Sequence, residues 1–175
     1  IGERMGLSHL VVNAISEDKN GGLWVGTYGG GINYLNRSTG AYRYFDIRNN
    51  QNQTRNGVKS LAEDENGNLW VGTLDGLCHF DKTTKNIRFF KFAVTQGKFS
   101  ENLINSIIPE TNGVWVGTNG GGMRHLKPDG SYTTFVNSPK DKTSISDNFV
   151  VALIKDAREN LWIGTQNGLN YYDRK

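Results

Sequence analysis

Four tryptophans at nearly constant spacing constrain this chain more than anything else in it. Trp24, Trp70, Trp115 and Trp162 lie 46, 45 and 47 residues apart. Each sits in one pentapeptide: Leu23–Thr27 (LWVGT), Leu69–Thr73 (LWVGT), Val114–Thr118 (VWVGT) and Leu161–Thr165 (LWIGT). A fixed period of this length marks one supersecondary unit copied along the chain. A unit that small cannot bury its apolar surface alone, so copies must stack on one another.

The same pieces recur inside each period. A first strand is expected at Val11–Glu17, Val58–Glu63, Ile104–Glu110 and Val150–Lys155. A polar turn follows (DKNGG from Asp18, DENGN from Asp64, TNG from Thr111, DAREN from Asp156), in which Asp and Asn can bond their own backbone. The Trp strand comes next, then a glycine turn (YGGG, LDG, NGGG, QNG) and a third strand at Ile32–Asn36, Leu77–Asp81, Met123–Lys127 and Leu169–Asp173. An aromatic fourth strand is expected at Tyr42–Phe45, Ile87–Phe92 and Tyr132–Val136. Helical 3.6-residue spacing recurs nowhere.

Composition agrees with many tight turns. There are 22 glycines among 175 residues, against an average share of about 7%. Three prolines and an 11% aromatic share exclude a disordered linker, which is Pro-rich and aromatic-poor. The reading is therefore all-β: a β-propeller segment over residues 1–175, with four blades of four antiparallel strands and the last blade incomplete. Blade limits fall at about 8–46, 57–92, 103–136 and 149–175. Trp24, Trp70, Trp115 and Trp162 are expected to form the structural core between blades.

Charge and cysteine use narrow the function. The 20 basic and 17 acidic residues are interspersed, net charge +3, so no basic stripe addresses nucleic acid directly. Cys78 is the single cysteine, which excludes an internal disulfide and a thiolate metal cluster. No run approaches 18 apolar residues, and Ile1–Met5 does not read as a signal peptide. The abrupt start and the end within a repeat read as a piece of something longer.

Candidate chemistry reads as structure at most positions. Glu17/Asp18 and Glu63/Asp64 recur at one turn per blade, which favours turn formation over acid–base or calcium chemistry. His79 and His125 occupy the slot held by Tyr34 and Tyr171, which favours packing over metal binding. The triple glycines Gly29–Gly31 and Gly120–Gly122 lack the strand and helix context of a phosphate loop. No G-x-S-x-G elbow is present. Asn36-Arg37-Ser38 and Asn52-Gln53-Thr54 match the glycosylation sequon, a short match common by chance. No catalytic residue, metal or cofactor is expected. Ligand contact is instead expected on one rim, where second-to-third-strand turns and inter-blade connections meet. Its candidates are Tyr28, Asp75, Asn119, Gln166 and Asn167, beside the connections Ile47–Asn56, Ala93–Asn102 and Asn137–Asn148. Their amides and aromatic rings suit sugar hydroxyls and apolar ring faces.

The repeat Glu17-Asp18…Gly22-Leu23-Trp24-Val25-Gly26-Thr27…Gly30-Gly31 closely resembles the two-component regulator propeller repeat, and the resemblance covers essentially the whole chain. Copy 3 departs at Pro109-Glu110-Thr111, and copy 4 has Lys155-Asp156 for Glu-Asp. The resemblance implies the periplasmic sensor portion of a membrane-anchored hybrid histidine kinase/response regulator. That portion would sense an oligosaccharide and control transcription through the parent's phosphorelay, without being an enzyme itself. A head-to-tail homodimer of eight blades is the expected way to cover the two open ends. The alternatives are a propeller lyase resembling virginiamycin B lyase, or a dimerisation scaffold.

Overall fold

The computed structural model describes residues 6–48, 57–94 and 99–174. Blade 1 consists of β1 (Val12–Glu17), β2 (Leu23–Thr27), β3 (Ile32–Leu35) and β4 (Tyr42–Phe45). Blade 2 consists of β5 (Val58–Glu63), β6 (Leu69–Thr73), β7 (Gly76–Phe80) and β8 (Ile87–Phe90). Blade 3 consists of β9 (Ile104–Glu110), β10 (Gly113–Thr118), β11 (Met123–Leu126) and β12 (Tyr132–Phe135). Blade 4 has β13 (Val150–Lys155), β14 (Leu161–Thr165) and β15 (Gly168–Tyr172), and among the described residues no strand pairs with the outer edge of β15. Each sheet is antiparallel with strands in chain order. A 3-10 turn at Phe99–Asn102, absent from the sequence reading, precedes β9.

Strand alternation decides which residues enter which seam. On β2, Trp24 and Gly26 face blade 2, while Leu23 and Val25 face away from it. Blade 2 answers with Leu69, Val71 and Phe80, which complete the first buried cluster with Trp24, Ile32 and Ile47. The second seam joins Trp70 and Leu77 to Val114 and Val116, and the third joins Trp115 and Met123 to Leu161 and Ile163. Every blade therefore gives its tryptophan to the next blade and its strand-two aliphatics to the previous one. The glycine two residues after each tryptophan makes the stacking close. A Cβ at Gly117 would lie 2.6 Å from Val150 Cγ1 across the seam, nearer than real side chains approach.

The innermost strands β1, β5, β9 and β13 pack in sequence, with no comparable contact joining β13 to β1. Side chains stitch them together. Asn13 Nδ2 donates to Val58 O at 2.7 Å, Ser60 Oγ to Ile104 O at 3.1 Å, and Asn105 Nδ2 to Val150 O at 3.0 Å. The result is an open arc with an apolar face at each end. Ile15 is 65% exposed, whereas its counterpart Leu153 is 6% exposed in the third seam. At the other end Ile154, Trp162, Leu169 and Tyr171 are all exposed.

This corrects one core assignment. Trp24 and Trp115 are buried at 3% and 4% exposure and Trp70 is half-buried, but Trp162 is 40% exposed. Trp162 holds the same place in its sheet, opposite Tyr171 and Ile154. No following blade stands before it among the described residues, so it stacks only on Tyr171, with centroids 4.9 Å apart.

Candidate functional site: the rim of turns and connections

The acidic turns serve the backbone. Asp18 Oδ1 accepts from the N–H of Asn20 (2.8 Å) and of Gly22 (2.9 Å), Asp64 Oδ1 from Asn66 and Asn68, and Asp156 Oδ1 from Arg158 and Asn160. Burial pushes the Asp18 carboxyl up, but those two N–H donors, the Tyr34 hydroxyl and Lys82 outweigh it and hold it below the usual carboxylate range. The slot shared by Tyr34, His79, His125 and Tyr171 stacks on its own blade's tryptophan, His79 on Trp70 at 4.4 Å and His125 on Trp115 at 4.3 Å. His79 Nε2 also meets Asp64 Oδ2 at 2.9 Å. His125 has Thr111 where the others have Asp, and its buried Nε2 has no hydrogen-bond partner among the described residues. The two histidines thus belong to separate seams, and among the described residues no three His, Cys, Asp or Glu side chains converge as metal ligands. Burial raises the Cys78 thiol far above its ordinary value, which keeps it unionised and inert.

At the opposite strand ends, each second-to-third turn is tied to the connection that enters its blade. Tyr28 N donates to Val11 O (2.9 Å), Leu74 N to Gly57 O (3.1 Å), Asn119 N to Leu103 O (3.0 Å) and Gln166 N to Phe149 O (3.0 Å). Tyr28, Asn119 and Gln166 therefore hold one repeat position, and Asp75 and Asn167 hold the next. Glycine lets these turns close: Gly31, Gly76, Gly122 and Gly168 all adopt positive φ, between 70 and 124°. Tyr28, Gln166 and Asn167 are exposed, Asp75 is half-buried and pairs with Lys91 Nζ at 2.8 Å, and Asn119 is half-buried. Tyr28 lies beside His9, with ring centroids 6.3 Å apart.

A second set of residues on this rim escaped the sequence reading. The third-strand residue opposite the middle of the Trp strand anchors the connection. Asn33 Oδ1 accepts from Ser8 N at 3.0 Å, and Asn170 Oδ1 accepts from Ser146 N at 2.8 Å. In blade 3 the same position is Arg124, which is 3% exposed, donates from Nη2 to Ala93 O at 3.1 Å and lies over the Phe92 ring. The recurrence of Asn at positions 33 and 170 was the available signal. Of the connections, residues 49–56 and 95–98 lie outside the described residues. The third is ordered by its own bonds, including Asn137 Nδ2 to Ile145 O at 2.8 Å and Ser138 N to Ser144 Oγ at 2.9 Å.

A groove of about 760 Å³ runs beside that connection, with Phe135 and Tyr172 in its wall. In the first two seams the corresponding place is filled by the fourth-strand residues Ile87 and Tyr132. The groove is the fourth-strand slot of blade 4.

The repeat geometry agrees with what known proteins share with this chain. The sequence profile of the two component regulator propeller matches residues 6–29, 52–75 and 144–167, three of the four turn-and-Trp-strand segments. The chain belongs to the two-component regulator propeller family. The unmatched copy is blade 3, where Pro109-Glu110-Thr111 replaces the usual turn entry. This regulator propeller is 32% identical over 167 residues to "Histidine kinase P4" of Formosa agariphila, covering 94% of the chain and 12% of that protein. The extracellular domain assigned to the hybrid two component system BT4673 of B. thetaiotaomicron superposes with a TM-score of 0.83 at 23% identity. That match covers 97% of the regulator propeller and 22% of the solved domain. A virginiamycin B lyase from Staphylococcus aureus superposes with a TM-score of 0.65 at 16% identity, over 92% of this chain and 55% of that one, a likeness of fold alone. The regulator propeller thus spans a small part of its relatives. No helix among its described residues is long and apolar enough to cross a membrane.

Proposed function

We infer that this regulator propeller is an extracytoplasmic, periplasmic segment of a membrane-anchored hybrid histidine kinase/response regulator. It binds a ligand rather than transforming one, and the parent's phosphorelay carries the signal to transcription. The observation that carries this reading is the identity to a named histidine kinase along nearly the whole chain. The open arc supports it, because end faces built like internal seams require further blades. Those blades come from the parent chain or, for this segment alone, from a second copy packed head to tail. The lyase alternative needs one converging set of histidine and carboxylate ligands, whereas His79 and His125 each stack within a separate seam.

The ligand seat we favour is the rim, with an oligosaccharide as ligand. Tyr28 supplies an exposed aromatic face, and Asp75, Asn119, Gln166 and Asn167 supply hydrogen-bonding groups on turns held rigidly by the backbone ties. Glycan-array and calorimetric binding to the chain and to its Tyr28/Asp75/Asn119/Gln166 alanine variant tests this. Binding that disappears in the variant supports the rim, and undiminished binding excludes it.

A further inference from the structure

The three seams are closed differently at the face opposite the rim. Over Trp24 lies Lys82 of the next blade, Nζ 5.7 Å from the ring centroid and paired with Glu63 at 3.2 Å. Over Trp115 lies Arg174 of the next blade, Cζ 5.9 Å from the centroid and paired with Glu110. Lys82 and Arg174 occupy the same repeat position, directly after Asp81 and Asp173. In blade 3 that position is Pro128, which has no charge to offer. Trp70 accordingly remains half-buried where Trp24 and Trp115 are nearly inaccessible. A cavity of about 290 Å³ opens there between blades 2 and 3, with Trp70 and Phe90 as apolar wall, Glu65 on one side and Pro128 on the other.

We propose that this cavity binds a small organic cation, an alkylammonium or alkylguanidinium, with its charge over Trp70 and against Glu65. Both neighbouring seams place a cation at this point of the repeat, so the surroundings of the indole are built for positive charge, and indole is the best aromatic partner for it. The other lining carboxylates are engaged: Asp64 meets His79, and Glu110 meets Arg174. Glu65 is different: its carboxylate oxygens receive only the Thr111 hydroxyl, at 2.9 and 2.8 Å, among the described residues, while Lys19 Nζ donates to its backbone carbonyl at 2.6 Å. The chain's own lysine and arginine in the cavity wall are Lys127 and Arg88; Arg88 lies over Phe90 (4.6 Å), and among the described residues neither lies over Trp70. The volume sits at the lower edge of the roughly 300–1,000 Å³ usual for ligand pockets, which restricts the occupant to a few carbons beside the charged group. A neutral sugar could also stack on an indole, but the occupants of both counterpart positions are charged. This site is independent of the rim, which lies at the other ends of the same strands.

The test is a titration of the isotope-labelled 175-residue chain followed through the Trp70 indole N–H resonance, identified by Trp70→Phe. Butylammonium and butylguanidinium are the probes, with 1-butanol and glucose as neutral controls. A saturable Trp70 shift is expected with both cations, at least tenfold weaker with 1-butanol. Pro128→Lys restores the covering cation of the other seams and weakens probe binding at least tenfold, while the remaining three indole resonances report an intact fold. Glu65→Gln, at an exposed turn, weakens binding severalfold and serves where Pro128→Lys misfolds. Equal response to 1-butanol, a response to glucose alone, undiminished binding in the variants, or no saturable shift each overturns the proposal.

Discussion

Trp24 and Phe80 meet edge to face across the first seam, their ring centroids 5.8 Å apart. Phe45 completes the group, 5.7 Å from Trp24 and 5.1 Å from Phe80. Trp24→Ala is expected to cost about 3–5 kcal/mol, the usual price of emptying a packed aromatic site. Trp162→Ala, at the uncovered end, is expected to cost well under half of that. Urea denaturation of the two variants checks the contrast, and equal losses would contradict the seam assignment.

Glycines of the repeat separate in the same way. Gly117→Ala drives a methyl group into Val150 and is expected to destabilise by about 1–3 kcal/mol. Gly164 occupies the same position in blade 4, where a Cβ meets nothing nearer than 3.7 Å. Gly164→Ala is expected to be neutral or to stabilise by about 0.5 kcal/mol, because alanine loses less backbone freedom in a strand. Thermal melts of both variants measure the difference.

His125 carries a buried ring nitrogen with no hydrogen-bond partner among the described residues, next to the backbone of Gly113. Burial holds its pKa below the ordinary 6.5, with Glu110 opposing and Arg174 adding to the effect. A depressed histidine pKa in the fold means the unfolded chain takes up the proton first. Stability is therefore full above about pH 6.5 and falls as pH drops toward the folded value. His125→Phe keeps the stack on Trp115 and removes the orphaned nitrogen. It is expected to add about 1 kcal/mol, or ~3 °C in melting temperature, and to flatten stability across that pH range.

Acid sensitivity has a second, lower window. Asp18 titrates below the ordinary 3.8 in the folded chain, so its stabilisation is present above that value and is lost as pH falls through the folded one. Asp18→Asn keeps an acceptor for the Asn20 and Gly22 N–H groups and removes the charge. The variant is expected to be somewhat less stable at pH 7 and to lose less between pH 4 and pH 2, as read from denaturant midpoints.

Most of the strand plan was legible because glycine, asparagine and aspartate mark turns by chemistry that acts within a few residues. The first and second strands of every blade lie within a residue of the expected limits, and Tyr42–Phe45 coincides with β4. The sequence could not tell that Trp162 stands uncovered, since exposure depends on a neighbour and not on the residue itself. Nor did composition point to Arg124 or to the Asn33 and Asn170 anchors, whose role is to hold a connection more than 20 residues away. The gap over Trp70 was readable in principle. Aligning the copies one position past the third-strand aspartate sets Lys82 and Arg174 against Pro128, but that comparison has meaning only once the seam is known to close there.

Because each blade offers tryptophan forward and aliphatics backward, the array has a polarity, like a filament with a leading and a trailing end. The tryptophan-to-aliphatic joint recurs at all three seams, so a whole repeat can be gained or lost without a new kind of joint. A genetic duplication of about 46 residues that began and ended in the same connection would lengthen such a protein and leave every existing interface intact. The length of such an array can therefore change in steps of a single blade.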